Sequence, residues 1–428
     1  MSRTRALRRG VLAVGVALAV AAGSGLMVGL ATASASSSRL EGCVVQEPLP
    51  DPLNARPVVV VHGWLSSAGG FDDVSEGLSE RLGSDYQVLT FDYQRDNTYW
   101  AGSPRVHECL AHYVVAVSQA YVAAGGDGAV VGVGHSMGGI ALRYASHDVV
   151  NGTRVAEVLA GAVTMGTPHQ GSPWGGTTGA GLLEAVGRRL SAGSLFPAPG
   201  TDAAECLAVL DKRPASCGEV PYFPEGIPLT QIGTQIWLER SLFSIPFIDG
   251  PTARFALFGD GIVPLPSAHG YLNSGPVTQA EDGAESRALG YRARVEIPST
   301  ECTYTTDYLL ALRAGYAATG GGVHGLLGAL TAQIGHELLD LQAGDALLRG
   351  EAGAPLAEWT LYAAQTDCFH TRLTTKPWVL DTVADAVRRH AAAAREVVYL
   401  HDLVRASAGR SGSAASTSGK VSPLMSAT

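Results

Sequence analysis

A serine bracketed by glycines is the residue of this chain best suited to nucleophilic chemistry. Residues 129–133 form a short apolar run before Gly134, and Ser136 stands between that glycine and Gly138, ahead of residues 140–145 of helical composition. This order predicts a strand, a tight turn and a helix, with the serine hydroxyl presented at the carboxyl end of the strand. The alternative is a purely structural turn, because the 53 glycines make the pattern itself common.

A serine that attacks a carbonyl needs a histidine to take its proton and a carboxylate to orient that histidine. When the serine stands on a strand-to-helix turn, the acid and then the histidine follow it along the chain. We predict Asp260 as the acid because it directly follows the apolar residues 254–258, which read as a strand. Its alternative role is that of a solvated turn residue. Three rival acids have no clear strand before them: Asp202, Asp211 and Asp249.

Four histidines follow Asp260 in the chain: His269, His324, His336 and His370. His370 is predicted as the proton acceptor because it comes after a predicted last strand, residues 358–364, and before the proline that opens the last helix. His324 remains the alternative, since its spacing from Asp260 is the more usual one although no strand precedes it. If Cys368 formed a disulfide, the bond would hold the loop of His370.

Elements that position these residues are predicted from alternating apolar and helical stretches. A second β-branched run, residues 58–61, ends in His62, Gly63 and Trp64. The predicted strands are 58–61, 86–91, 129–133, 159–165, 254–258 and 358–364, and the predicted helices are 74–82, 106–123, 139–146 and 378–390. This alternation favours a mostly parallel sheet that is covered by helices on both faces.

Four short motifs carry a family resemblance: Val-His-Gly-Trp at 61–64, Gly-His-Ser-Met-Gly-Gly at 134–139, Met-Gly-Thr-Pro-His-Gln-Gly-Ser at 165–172 and Gly-Asp-Gly-Ile-Val-Pro at 259–264. Together they resemble the secreted lipases and esterases of the α/β-hydrolase superfamily. Residues 106–110 and 368–373 more narrowly resemble its GPI inositol-deacylase-like branch. The resemblance implies an α/β-hydrolase fold, in which a mostly parallel sheet carries helices on both faces and inserted cap or lid segments.

The resemblance also implies an activity, namely cleavage of carboxylic esters with lipidic or otherwise apolar acyl groups through an acyl-enzyme on Ser136. In such a fold, the backbone N–H groups of Trp64 and Met137 would bind the oxyanion. The chemistry requires no cofactor, and no cysteine and histidine cluster of metal-ligand spacing is present. Two alternatives remain: acyl transfer to an alcohol acceptor, and a non-catalytic binding protein on the same fold.

The amino terminus reads as an export signal. Within residues 1–35, four arginines precede an apolar stretch and small-residue cleavage sites, which predicts a signal peptide and secretion. The alternative is an uncleaved membrane anchor, because the apolar stretch is near the length that spans a bilayer. All six cysteines follow this segment, and an even number outside the cytosol suggests disulfides. Proximity favours only the pair Cys206–Cys217.

The remaining chain divides into a hydrolase domain, residues 36–405, and a tail rich in serine, alanine and glycine, residues 406–428, which we predict to be disordered. Two intervals interrupt the alternation, about 170–251 and 270–356, and are predicted as caps. An apolar patch within 236–248 would either pack over the sheet as ordinary core or, as part of a cap, shield an acyl site or contact a lipid surface. The formal net charge of -9 and the lack of a basic block after the first ten residues argue against a nucleic-acid partner.

Overall fold

A seven-stranded parallel sheet organises the computed structural model of the chain. The structure describes residues 42–64, 66–176, 201–241, 244–245, 248–249, 252–256, 259–270, 278–279, 292–297, 302–305, 363–364 and 366–412. The strands of the described chain are β1 (Arg56–Val61), β2 (Tyr86–Phe91), β3 (Val130–His135), β4 (Val149–Val150), β5 (Thr153–Arg154), β6 (Leu159–Met165), β7 (Leu229–Thr234), β8 (Trp237–Ser241), β9 (Ser244–Ile245), β10 (Ile248–Asp249), β11 (Thr252–Ala256), β12 (Thr278–Gln279), β13 (Arg292–Ile297) and β14 (Thr303–Thr305). Its α-helices are α1 (Asp72–Leu82), α2 (Pro104–Ala123), α3 (Met137–Ala145), α4 (Val155–Val158), α5 (Asp202–Cys206), α6 (Leu265–Ala268) and α7 (Pro377–Gly412).

The main sheet has the strand order β12-β13-β7-β6-β3-β1-β2, and every neighbouring pair is parallel. Strand β3 lies near the middle, between β1 and β6. Because the strands are parallel, their carboxyl ends meet at one edge, which is where open α/β sheets place their sites. The ends of β1, β3 and β6 therefore bring three of the sequence motifs to the same edge.

Strand β1 shows why its sequence is a continuous valine run instead of an alternating pattern. Val59 and Val61 pack in one core cluster, whereas Val58 and Val60 pack in a second cluster on the other face of the sheet. All four side chains are fully buried. A strand covered on both faces needs apolar residues at every position, as is typical of parallel sheets.

Helices cover the two faces of the sheet separately. Helices α2 and α3 contribute to the first core cluster, and α1 and α7 contribute to the second. In α1 the buried residues Val74, Leu78 and Leu82 recur every fourth position, which places them on one face of the helix. Acidic residues in its first turn and Arg81 in its last turn also suit the helix dipole.

Two of the predicted strands differ from the structure. The predicted strand 254–258 is observed as β11, but it pairs with β8 in a separate three-stranded sheet and not in the main sheet. For the predicted strand 358–364, residues 358–362 lie outside the described chain, and Ala363 is helical and Ala364 lies in a turn. Apolar composition alone does not distinguish a short strand from a helical segment, which explains the second difference.

The two intervals predicted as caps also contribute to the main sheet. Strand β7 lies within 170–251, and strands β12 and β13 lie within 270–356. Sequence analysis missed β7 because polar residues and a glycine dilute its apolar signal, although all six of its residues are buried. The terminal helix α7 is longer than predicted and includes residues 406–412, since the alanines at 391–394 favour continued helix. Residues 413–428 lie outside the described chain, so that part of the predicted tail stays a prediction.

Three disulfides link all six cysteines: Cys43–Cys109, Cys206–Cys217 and Cys302–Cys368. The predicted pair Cys206–Cys217 is confirmed. Three such bonds suggest an extracellular protein, because thiols stay reduced in the cytosol. No α-helix in the described part of the chain is both long enough and apolar enough to cross a bilayer. The predicted signal peptide, residues 1–35, lies outside the described residues.

His390 gives α7 a pH-dependent contribution to stability. Its Nε2 lies 3.1 Å from Thr230 Oγ1 of β7, and burial lowers its pKa from 6.5 to about 4. Below pH 6.5 His390 becomes protonated in the unfolded chain, whereas in the folded chain it stays neutral until the pH falls to about 4. Stability from this residue is therefore full above pH 6.5 and is lost as the pH falls toward 4.

We expect a His390→Gln variant to show a weaker dependence of stability on pH. Between pH 7 and pH 5 its free energy of unfolding should fall by about 2 kcal/mol less than that of the unchanged protein. Urea unfolding followed by tryptophan fluorescence at the two pH values measures this difference. His147→Gln, which replaces an exposed histidine, is the control. An equal pH dependence in the His390 variant and the unchanged protein would contradict the argument.

Candidate active site

Ser136 occupies the turn between β3 and α3 in a strained backbone conformation. Its φ is 55° and its ψ is −130°, a backbone conformation that residues other than glycine rarely adopt. The flanking glycines allow this turn, because a Cβ on Gly134 would lie 2.5 Å from Gly139 Cα and one on Gly138 would lie 2.3 Å from Val61 O. The predicted strand, turn and helix are thus observed. Strain of this kind is stored at functional sites.

The segment after β1 lies directly against this serine. A Cβ added to Gly63 would lie 2.7 Å from Ser136 Cβ, so only glycine fits there. Trp64 follows Gly63, and Met137 is the first residue of α3. The predicted oxyanion donor Trp64 is therefore adjacent in sequence to the glycine that contacts Ser136. The other predicted donor, Met137, is adjacent to Ser136 itself. Their role stays a prediction.

His62 fixes the conformation of that segment. The backbone N–H of Tyr93 donates to His62 Nε2 over 3.2 Å, and His62 Nδ1 lies 3.0 Å from Gly63 O. The Tyr93 hydroxyl donates to His62 O over 2.7 Å, and the two rings stack with centroids 4.1 Å apart. These contacts anchor the residue that precedes Gly63.

Ser136, His370 and Asp260 form one chain of hydrogen bonds. His370 Nε2 lies 2.9 Å from Ser136 Oγ, and His370 Nδ1 lies 2.7 Å from Asp260 Oδ2. The carboxylate can only accept, so Nδ1–H donates to it and Nε2 is left to accept from the serine hydroxyl. Asp260 is 1% exposed and His370 is 6% exposed, which keeps water from competing for these bonds. The structure thus brings together the three side chains predicted to act together.

Asp260 is held so that only one of its oxygens faces the histidine. Its Oδ1 accepts from the backbone N–H groups of Ile262, over 3.0 Å, and Val263, over 2.7 Å. The backbone N–H of His370 also donates to Asp260 O over 3.0 Å. Asp260 and His370 are therefore aligned by both backbone and side-chain bonds.

Contacts with the segment after β6 position the acid loop, although the sequence suggested that a sheet strand would do so. Trp174 Nε1 donates to Gly261 O over 3.2 Å, and the Ser172 hydroxyl donates to Ile262 O. Ser172 ends the motif at 165–172, but the sequence offered no reason to link it to Asp260. The apolar residues before Asp260, which pointed to it as the acid, belong to a different sheet.

His135 supports His370 from the other side. Its Nε2–H donates to His370 O over 3.1 Å, and the ring centroids are 4.7 Å apart. Burial, and then the neighbouring His370, lower the pKa of His135 well below its ordinary value. A neutral His135 therefore fixes the backbone of His370 without adding charge. Sequence analysis included His135 in a motif but assigned it no role.

Other histidine candidates are placed as follows. His269 ends α6 and is buried. His324, the alternative proton acceptor, and His336 lie outside the described residues. The position next to Ser136 Oγ is occupied by His370.

The Cys302–Cys368 disulfide lies two residues from His370 along the chain and can be tested for a role in placing it. Cys43–Cys109 is a matched control, because both bonds join cysteines 66 residues apart. Each serine double variant should lose about 4 kcal/mol through the freed unfolded chain. We expect only Cys302→Ser/Cys368→Ser to lose turnover at temperatures where both variants are folded.

The measurement is ester turnover at several temperatures beside melting curves recorded by circular dichroism. Equal turnover per folded molecule in the two double variants would show that the Cys302–Cys368 bond has no local role at His370.

Residues 58–238 match the family model described as Alpha/beta hydrolase family. The match includes β1, the Ser136 turn and β7, but ends before Asp260. With the parallel sheet and the strained turn after β3, it identifies an α/β-hydrolase domain and confirms the predicted fold class. No curated protein sequence matches the chain.

Solved structures similar to this chain include the mature form of the lipase BlEst2 of Bacillus licheniformis, with 16% identity over 60% of this chain and 89% of that chain and a TM-score of 0.33. Lipase B of Aspergillus fumigatus has 14% identity over 77% of this chain and 62% of that chain, with a TM-score of 0.30. A thermophilic esterase from Thermogutta terrifontis has 14% identity over 57% of this chain and 82% of that chain, with a TM-score of 0.30.

Proposed function

We propose that this chain is an exported serine hydrolase that cleaves carboxylic esters with lipidic or otherwise apolar acyl groups. The observation that carries the proposal is the hydrogen-bonded chain from Ser136 through His370 to Asp260, which begins at a strained turn. A serine with this backbone, a histidine at its hydroxyl and a buried carboxylate behind the histidine form the parts needed for acyl transfer.

The reaction proceeds in two halves. Ser136 Oγ attacks the ester carbonyl while His370 Nε2 takes its proton, and Asp260 stabilises the imidazolium that forms. The N–H groups of Trp64 and Met137 donate to the oxyanion, and each such donor is worth about 3 kcal/mol in comparable sites. The imidazolium then protonates the leaving alcohol. In the second half, His370 activates a water that releases the acid from Ser136.

The preference for apolar acyl groups is supported by the residue after Gly63. Trp64 is half-buried and packs on the edge of the core, beside the loop that contacts Ser136. We infer that this aromatic side chain, next along the chain to the glycine that contacts Ser136, supplies apolar surface to an acyl group on the serine. Segments 106–110 and 368–373 resemble the GPI inositol-deacylase-like branch, so an inositol-linked acyl ester belongs among the substrates tested.

Export is supported by the three disulfides and by the composition of residues 1–35. Disulfides of this number form in oxidising compartments. Mass spectrometry of the protein recovered from the medium of the producing cell tests the cleavage site. Recovery of the full chain in the membrane fraction would favour an uncleaved anchor.

The function is tested by hydrolysis of p-nitrophenyl esters from acetate to palmitate. We expect turnover with an optimum among the longer apolar chains, and labelling of Ser136 by a fluorophosphonate probe. A protein that is labelled but forms esters when sterol or glycerol is added would be an acyltransferase. A folded protein that is neither labelled nor active would be a binding protein on the same fold.

A further inference from the structure

A cavity of about 550 Å³ lies beside α3, and its described lining does not include Ser136, Asp260 or His370. Its walls come from α3, from residues 169–170 after β6, from residues 210–222 and from Gly270. Four of its lining side chains decide its chemistry: Arg143, His169, Arg213 and Glu219. The volume is that of a site for a small organic molecule.

Side chains of α3 and a disulfide hold this cavity in shape. Arg143 donates to Pro221 O over 2.7 Å and to Val220 O over 3.1 Å, and the Tyr144 hydroxyl donates to Glu219 O over 2.9 Å. The bond Cys206–Cys217 closes the segment that carries Arg213. Side chains of α3 thus hold the cavity wall in place through hydrogen bonds to the backbone carbonyl groups of residues 219–221.

Arg213 is the unusual residue of this cavity. Its Nε and Nη2 atoms are buried and have no hydrogen-bond partner within the described chain. Its guanidinium lies 5.4 Å from the centre of the Trp100 ring. A guanidinium presents parallel N–H donors that a carboxylate bridges with its two oxygens. Buried charged donors without a partner are costly, and because the Arg213 side chain lines the cavity, a rotation of that side chain would turn these donors toward an anion there.

The charges around the cavity favour an anion with a single charge. Burial, and then repulsion by Arg143, lower the pKa of Arg213, whereas Tyr144 opposes the effect. Burial lowers the pKa of His169 well below its ordinary value, so that histidine is neutral. Among the described side chains that line the cavity, two guanidinium groups and the carboxylate of Glu219 therefore sum to one net positive charge, which suits a carboxylate better than a phosphate dianion.

The rim of the cavity is apolar and open to solvent. Leu210 is 57% exposed and Tyr222 is 62% exposed, and both line the cavity. Exposed large apolar side chains beside buried cationic groups are the arrangement expected for a ligand with an apolar body and a charged end.

We propose that this cavity binds a small monocarboxylate with an aromatic or short aliphatic body, its carboxylate on Arg213 and its body between Leu210 and Tyr222. The proposal does not depend on ester hydrolysis, because the site contains none of the residues of the hydrogen-bonded chain at Ser136.

Isothermal titration of the whole protein with phenylacetate tests the proposal. Phenethyl alcohol supplies the same body without the charge, and inorganic phosphate supplies the charge without the body. The titration is repeated after the fluorophosphonate probe has reacted with Ser136, so that binding at the serine is separated from binding in the cavity. We expect one site for phenylacetate in both forms and at least tenfold weaker binding of the other two compounds, about the loss of a charged hydrogen-bonded pair.

Three variants locate the site. Arg213→Gln should weaken phenylacetate binding by about tenfold or more, since it removes the charged donors. Lys212→Gln removes the same charge from the neighbouring residue, which does not line the cavity, and should weaken binding by less than about twofold. Leu210→Glu adds a repelling charge at an exposed rim position and should weaken binding without disturbing the core. It therefore stands in for Arg213→Gln if that variant does not fold.

We expect phenylacetate binding to weaken in the Arg213 and Leu210 variants and not in the Lys212 variant. All three variants should melt at the temperature of the unchanged protein. Absence of phenylacetate binding, equal loss in the Lys212 variant, or loss after labelling of Ser136 would each overturn the proposal.

Discussion

Ser136→Ala is expected to lower kcat for p-nitrophenyl esters by about 10⁴-fold or more, because it removes the Oγ atom that forms the acyl-enzyme in the proposed reaction. His370→Ala should lower it by a similar factor, since Nε2 is the atom 2.9 Å from Ser136 Oγ. The double variant should be no worse than either single variant. When two residues act as one catalytic unit, removing either one already abolishes most of the rate enhancement, so removing the second costs little more.

The same assay decides between the two histidines that sequence analysis retained. His324→Ala should keep turnover within about twofold, because the proton acceptor is already supplied by His370. Labelling by the fluorophosphonate probe should follow the same order as turnover. Circular dichroism of each variant shows that a loss of activity is not a loss of fold.

Two outcomes would contradict this assignment. If His324→Ala abolished turnover and His370→Ala did not, the hydrogen bond at Ser136 Oγ would not be the catalytic one. If Ser136→Ala kept full turnover, the esterase activity would reside elsewhere and the proposed function would be wrong.

The part of the site that could be predicted from the sequence is the part fixed by local geometry. A tight turn after a β-branched run requires glycines at fixed positions. The turn at Ser136 and the glycines on either side of it can therefore be predicted from one short segment. Gly63 stands in a sequence motif, but the contact with Ser136 that leaves no room for a side chain there is visible only in the structure. Asp260 and His370 are predicted from chain order and from their place after apolar runs, and the structure brings both side chains into one hydrogen-bonded chain with Ser136.

The parts that the sequence did not predict are those set by contacts between distant segments. Strand β7 is buried through its neighbours β6 and β13, and its own residues carry too weak an apolar pattern to reveal it. The disulfides Cys43–Cys109 and Cys302–Cys368 join residues 66 apart, beyond the reach of an argument from proximity. Interval 170–251 was interpreted as a cap because its glycines and prolines hid a strand of the sheet.

Gly166 illustrates a residue whose importance is visible only in three dimensions. It follows β6, has a φ of +52°, and lies against the pair that orients the proton acceptor. A Cβ at this position would lie 2.8 Å from Asp260 Oδ2 and 3.2 Å from His370 Nδ1. These two atoms form the 2.7 Å hydrogen bond that orients the imidazole of His370 toward Ser136. A methyl group there must displace one of them.

Gly166→Ala is therefore expected to reduce kcat by about 10²-fold while changing KM little, because a shift of about 1 Å in a reacting group has an effect of that size. The matched control is Gly152→Ala, at which φ is +82° and no atom lies within 4 Å of the added Cβ. Both variants carry the strain of a side chain at positive φ, about 1 to 2 kcal/mol. Melting temperatures and turnover of the two variants separate strain from displacement. If both lost turnover equally, backbone strain alone would explain the effect; if neither did, Asp260 and His370 would tolerate displacement and their hydrogen bond would not limit the reaction.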